Sequence, residues 1–132
     1  MTSTASSTKR ARVLIVDDNW VVRRLIAGIV RSDPALECVG EVTNGEAALE
    51  AVRTCAPDVL CLDAMLPALD GLGVLEALRE RALETRVVMI TGYATPELIA
   101  KARALGAAGF VIKPFNASKV LTAIHSALTG AA

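Results

Sequence analysis

The 132-residue chain is poor in aromatic side chains, poor in cysteine and without net charge. Aromatics make up only 3% of it, so a core has to be assembled from the Val, Leu, Ile and Ala that dominate its 53% hydrophobic content. A formal charge of +0 argues against general electrostatic attraction to nucleic acid or to an anionic membrane. No apolar run approaches the ~18 residues of a membrane span. The stretch from Met1 to Arg10 has no apolar segment of the secretory kind and reads as a disordered, Ser/Thr-rich tail. Cys38, Cys55 and Cys61 are odd in number and widely spaced, with neither metal-ligand spacing nor a disulfide framework. They read as buried free thiols in a reducing cytosol. What remains is one cytoplasmic domain, long enough for a single core and silent about function.

What is present is a regular alternation of short apolar runs and helical stripes. Val13-Leu14-Ile15-Val16 is a β-branched run of the kind buried on both faces of a sheet, and it ends in Asp17 and Asp18. Asn19 can cap a following helix in which Val22, Ile26 and Val30 recur with Leu25 and Ile29, until Ser32-Asp33-Pro34 stops it. Cys38 to Thr43 reads as a second strand closed by Asn44-Gly45, and Ala48, Val52 and Cys55 mark a second helical face. Pro57 breaks that helix before a strand from Val59 to Leu62, which ends in Asp63. A turn-rich segment, Leu66 to Gly71, precedes a helix carrying Leu75 and Leu78. Val87 to Ile90 forms strand four and leads into Thr91-Gly92, and Thr95-Pro96 opens helix four with Thr95 at N-cap and Pro96 at N1. Phe110 to Ile112 forms strand five, ending at Lys113-Pro114, and Asn116 caps a last helix with Val120, Ile124 and Leu128. Five such β-α units predict a parallel sheet covered by helices on both faces.

In doubly wound sheets ligands bind beyond the carboxyl ends of the strands. Those ends carry Asp17 and Asp18, Asp63, Thr91 and Lys113. Paired carboxylates at an apolar strand tip need a counter-charge, and a third from a neighbouring strand makes an oxygen-rich pocket suited to a hard cation such as Mg²⁺. Taken singly, Asp17 and Asp18 could merely cap a helix, Asp63 could end a strand in solvent, and Thr91 and Lys113 are commonplace. As a set they fit phosphoryl transfer to an aspartate, which needs a carboxylate nucleophile, a divalent cation and a cationic side chain. The Lys113-Pro114 bond can be cis, which would aim the ammonium back over the sheet.

The sequence resembles the receiver domains of bacterial two-component response regulators, from about Arg12 to Leu128. The resemblance rests on Val13 to Asn19, Leu62-Asp63-Ala64-Met65-Leu66-Pro67-Ala68-Leu69-Asp70-Gly71, Met89-Ile90-Thr91-Gly92-Tyr93, and Gly109-Phe110-Val111-Ile112-Lys113-Pro114-Phe115. Four motifs in this order and spacing are far more specific than any one alone. The resemblance implies a flavodoxin-like sheet of strand order 2-1-3-4-5, spanning 11-129, with 1-10 as tail and 130-132 as the C-terminal end. It implies Asp63 as phosphoacceptor, Asp18 and Asp63 as direct Mg²⁺ ligands, Asp17 acting close by, and the backbone carbonyl of Met65 as a further ligand. Thr91 and Lys113 would bind phosphoryl oxygens, and Thr91 with Phe110 would form the switch. Phe110 lacks the phenol hydroxyl of some relatives, so its output would be read through packing. Trp20, directly after the acid pair, is a candidate fluorescence reporter.

By the same resemblance the partners would be a sensor histidine kinase or histidine phosphotransferase and a downstream protein target, with a phosphorylation-dependent homodimer allowed. Direct binding to nucleic acid or a membrane is not expected. The module would catalyse only its own phosphorylation and dephosphorylation. The sequence leaves no room for a helix-turn-helix output domain, so the chain is either a single-domain regulator or a piece of a longer one. The start Met1-Thr2-Ser3 favours the first. Two rival readings fit less well. A haloacid-dehalogenase-type enzyme would carry an Asp-x-Asp pattern on strand one, whereas Asp17 and Asp18 are adjacent. A flavodoxin-like FMN binder would need a hydroxyl- and glycine-rich loop after strand one, where this chain begins Asp-Asp-Asn.

Overall fold

A computed structural model of the chain describes residues 9–81 and 83–130, so most of the tail expected over 1–10 and the end of the chain lie outside the described residues. Five strands and five helices alternate: β1 (Ala11–Val16), α1 (Trp20–Arg31), β2 (Leu36–Val42), α2 (Gly45–Cys55), β3 (Val59–Leu62), α3 (Gly71–Glu80), β4 (Arg86–Thr91), α4 (Pro96–Ala104), β5 (Gly109–Ile112) and α5 (Ala117–Thr129). The strands form one parallel sheet in the order β2-β1-β3-β4-β5, as the resemblance implied.

Side-chain alternation along the strands divides the core in two. Val13, Ile15, Val59, Cys61, Val88 and Ile90 point to one face, where Ile26 and Val30 of α1 and Val120 and Ile124 of α5 cover them. Leu14, Val16, Leu60, Leu62 and Met89 point to the other, under Ala48 and Val52 of α2, Val74 and Leu75 of α3 and Ala102 of α4. The near-continuous apolar runs of β1 and β3 follow from burial on both faces.

Each helix opens on a side-chain cap. The Oδ1 of Asn19, Asn44, Asp70 and Asn116 and the Oγ1 of Thr95 accept the backbone N–H three residues on, at 2.8–3.1 Å. Asn44 thus caps α2 two residues after β2 ends at Val42, and Asp70 caps α3 where the sequence showed only turn residues. At its other end α2 stops on Ala56, which takes a left-handed φ of 46° before Pro57.

Three expectations need correction. β2 starts at Leu36 rather than Cys38, because Ala11 and Leu36 are already in register with β1 and Leu36 is buried under α1 and α5. Leu25 lies on the outer face of α1 and is 55% exposed; Ala27, not Leu25, completes the buried stripe with Ile26 and Val30. Of the cysteines only Cys61 is buried, its thiol pushed up to about 12 by burial and the nearby Cys38, while Cys38 and Cys55 are half-buried. Among the described residues no helix is long and apolar enough to cross a membrane.

Candidate functional site

The chain leaves β1 toward β2 on one side and later enters β3 on the other, so the β1/β3 boundary is the point where the winding reverses. Such a reversal opens a crevice at the carboxyl ends of the strands. Asp17 and Asp63 stand on either side of it. The Asp63 N–H donates to the Val16 carbonyl at 3.0 Å and the Asp17 N–H to the Val42 carbonyl at 3.2 Å, so both acids are extensions of the sheet ladder rather than loop residues. Asp18 follows at the exposed mouth.

Carboxylate oxygens of Asp17, Asp18 and Asp63 all lie within 4.8 Å of one another. Asp17 is 1% exposed and Asp63 5%, which is unusual for acids without full pairing. The cation facing them is Lys113, whose Nζ lies 3.3 Å from Oδ2 of Asp17 and 3.5 Å from Oδ2 of Asp63. The Lys113–Pro114 bond is cis. Oδ1 of Asp17 accepts the Asn19 N–H at 2.8 Å, and Oδ1 of Asp63 accepts the Met65 N–H at 3.0 Å. Burial holds the Asp63 carboxyl above the ordinary carboxylate range. The Met65 N–H draws it back, Asp17 pushes it up again, Lys113 lowers it and Asp18 raises it. One ammonium shared between two acids, with a third nearby, leaves the cluster short of positive charge.

That deficit, together with an all-oxygen donor set, is what a hard divalent cation would satisfy. The cluster therefore fits Mg²⁺, with Asp18 exposed, Asp17 and Asp63 buried and the Met65 N–H bonded to the Asp63 carboxylate.

Thr91 ends β4, one strand beyond Asp63, and is buried; its Oγ1 accepts the Tyr93 N–H at 3.1 Å. The Lys113 N–H donates to the Thr91 carbonyl at 2.9 Å, joining the carboxyl ends of β4 and β5. Phe110 sits apart from the acids, half-buried on β5 beneath α4, with the Arg103 guanidinium 5.0 Å from its ring centroid. Trp20, Met65 and Tyr93 are exposed.

Two contributors escaped sequence reading. Gly71 opens α3 against the back of the Asp63 strand end; a Cβ there would meet the Ala64 Cα at 2.7 Å and the Asp63 carbonyl oxygen at 2.8 Å. The Asp63 to Gly71 motif contained it, but only the fold shows why glycine is needed. Arg23 donates from Nη1 to the Asp17 carbonyl at 2.9 Å, a contact whose sole sequence signal is helical placement one turn past the acids.

The profile of the response regulator receiver domain matches residues 13–125. The nitrate/nitrite response regulator protein NarL of Escherichia coli K12 is 31% identical over 125 residues, covering 95% of this chain and 58% of that protein. A protein-glutamate methylesterase/protein-glutamine glutaminase of Halalkalibacterium halodurans is 42% identical over 106 residues, covering 80% of this chain and 31% of that protein. The chain thus spans little more than half the length of one curated relative and less than a third of the other. Among solved structures, a signal receiver domain from Mycobacterium tuberculosis superposes with a TM-score of 0.89 at 32% identity, covering 92% of this chain and 98% of that one. A chain of the CheX–CheY–BeF3–Mg²⁺ complex from Borrelia burgdorferi gives 0.86 at 27% identity, covering 92% of each.

Proposed function

The chain belongs to the response regulator receiver domain family of two-component systems, and from that premise we propose that it is a phosphorylation-dependent switch whose acceptor is Asp63. The observation that carries this reading is the meeting of three carboxylates and one lysine at the winding reversal of the sheet.

A carboxylate oxygen of Asp63 attacks the phosphorus of a phosphohistidine on a histidine kinase or phosphotransferase. A new P–O bond forms as the P–N bond breaks, and the departing imidazole nitrogen keeps the electron pair and takes up a proton. Mg²⁺, when bound, neutralises charge on the phosphoryl oxygens. Asp18 and Asp63 would hold it directly, with Asp17 close by and the Met65 carbonyl as a further ligand. Lys113, whose Nζ lies 3.5 Å from Oδ2 of Asp63, would pair with a phosphoryl oxygen. Thr91 would exchange its bond with the Tyr93 N–H for one to the phosphoryl group, and Phe110 would turn into the space left behind. The altered surface is then the face of α4, β5 and α5, read by a downstream protein or by a second copy of the chain.

The receiver unit is assigned to residues 11–129, with 1–10 as a tail and 130–132 as the end. The activity belongs to the cytoplasm, where histidine kinases present their phosphoryl groups. It is a regulatory one, limited to the module's own phosphorylation and dephosphorylation. Intact mass after incubation with acetyl phosphate and Mg²⁺ should show one acid-labile phosphoryl group, absent in Asp63→Asn and in EDTA. Undiminished labelling of the Asp63→Asn protein would remove Asp63 as acceptor, and undiminished labelling in EDTA would remove the metal.

A further inference from the structure

The carboxylate of Asp18 is exposed, and no hydrogen bond among the described residues anchors it. The backbone therefore sets only where its Cα–Cβ bond points, through the peptide plane that joins it to Asp17. That plane is held. Its carbonyl, contributed by Asp17, accepts from Arg23 Nη1 at 2.9 Å, and the preceding peptide is tied to the sheet by the bond from the Asp17 N–H to the Val42 carbonyl of β2. Arg23 is itself fixed: its Nε lies 3.5 Å from Oε1 of Glu41, and the two side chains are only 13% and 15% exposed. Glu41 also meets Arg24 and Arg31, but those arginines are more than half exposed and turn outward. Glu41 stands in register with Ile15 of β1, two residues before Asp17, so the clamp is rooted in the sheet.

We propose that Arg23 is a positioning residue for the acidic pocket, clamping the Asp17 carbonyl to Glu41 so that the Asp18 carboxylate is delivered where a divalent cation binds. This rests on the reading of the pocket as a Mg²⁺ site. The clamp needs the two-point reach of a guanidinium, Nε toward one carboxylate oxygen and Nη1 toward a carbonyl, which a single ammonium cannot reproduce. Groups that orient metal ligands typically carry 10- to 100-fold in affinity when they touch the ligand atom itself; here the contact is to the neighbouring carbonyl, so about three- to tenfold is expected.

A bare-charge role gives the opposite sign. If Arg23 acted only as a cation near the acids, it would oppose Mg²⁺, and its removal would tighten binding. The test is calorimetric Mg²⁺ titration of the wild type and of Arg23→Lys, Arg23→Ala and Glu41→Gln, each well below its own melting temperature. Expected is a Kd raised about three- to tenfold in Arg23→Lys despite its retained charge, and raised at least as far in Arg23→Ala. Glu41→Gln should weaken binding in the same direction. Phosphorylation by acetyl phosphate should slow by the same factor at limiting Mg²⁺ and return to the wild-type rate at saturation. A wild-type Kd in Arg23→Lys with tighter binding in Arg23→Ala would overturn the clamp in favour of charge. Lowered melting temperatures with unchanged Kd in all variants would reduce Arg23 to a structural residue. If Arg23→Ala does not fold, Arg23→Lys and Glu41→Gln decide. Absence of Mg²⁺ binding by the wild type would instead sink the metal-site reading itself, and the clamp with it.

Discussion

Asp63→Asn is expected to stabilise the metal-free protein while removing most of its response to Mg²⁺. At separations of 4.8 Å or less, repulsion between two carboxylates is at least about 3.5 kcal/mol at an effective dielectric near 20. Attraction between Asp63 and Lys113 at 3.5 Å is about 5 kcal/mol on the same scale. Asp17 repels Asp63 at nearly full strength and exposed Asp18 more weakly, so the charge–charge contributions nearly cancel. Desolvation then decides the sign, in line with the raised pKa of Asp63, for which burial is the main cause. Replacing the charge by a neutral amide of equal size should raise metal-free stability by about 1–2 kcal/mol, or about 3–8 °C in Tm for a domain of this size. The pH dependence follows from the same cause. A carboxyl raised by folding brings no penalty below its unfolded value of about 4, where it is protonated in both states; the penalty appears as pH rises through the folded value. The Asp63→Asn advantage should therefore be present at neutral pH and fade toward pH 4. Mg²⁺ at about 100 times its Kd should stabilise the wild type by about 2.7 kcal/mol and the variant by less than half of that. Melts of both proteins in EDTA and in Mg²⁺, at neutral pH and near pH 4, test the whole chain of reasoning. A variant less stable than wild type in EDTA at neutral pH, or an equal Mg²⁺ shift in both, would refute it.

Gly71→Ala should cost about 1–3 kcal/mol and slow labelling by acetyl phosphate, because its Cβ would press on the Asp63 carbonyl; a melt and a labelling time course check both, and a neutral substitution would show that the loop yields freely. The Met65→Asn, Tyr93→Glu double variant should lose its phosphoryl group faster than wild type, since both side chains are exposed, two residues beyond Asp63 and Thr91, and neither offers a carboxylate or amide to orient attacking water. A decay time course in Mg²⁺ reads this directly, and equal or slower decay would count against it. Arg103→Ala removes the cation over the Phe110 ring, a contact of about 0.5–1 kcal/mol that favours the present ring position. Beryllofluoride with Mg²⁺ should then bind about two- to fivefold more tightly, measured by titration; unchanged affinity would mean that Arg103 does not restrain the ring.

Local order in this protein is written locally. The runs Val13–Val16 and Val59–Leu62, Asn19, Thr95-Pro96 and Asn116 as helix openings, and Asp63, Thr91 and Lys113 at strand ends could all be read from neighbours within a few residues, because hydrophobic period and capping chemistry act at that range. β-α alternation then leaves few topologies, and the rule that ligands gather at carboxyl strand ends points to the acids before any coordinates do. Contacts between residues distant in sequence were not legible in this way. Leu25 continues the helical stripe on paper, yet the angle at which α1 lies on the sheet turns it to solvent and gives its place to Ala27. Arg23 and Glu41 are 18 residues apart, and Arg103 and Phe110 belong to different elements; nothing in either neighbourhood marks the pair. Gly71 reads as an ordinary turn glycine until the Asp63 strand end lies against it. The sequence alone determined which chemical groups reach the crevice, because strand ends place them there. Tertiary packing decided how those groups are oriented and held, because orientation depends on distances between elements that only the folded core sets.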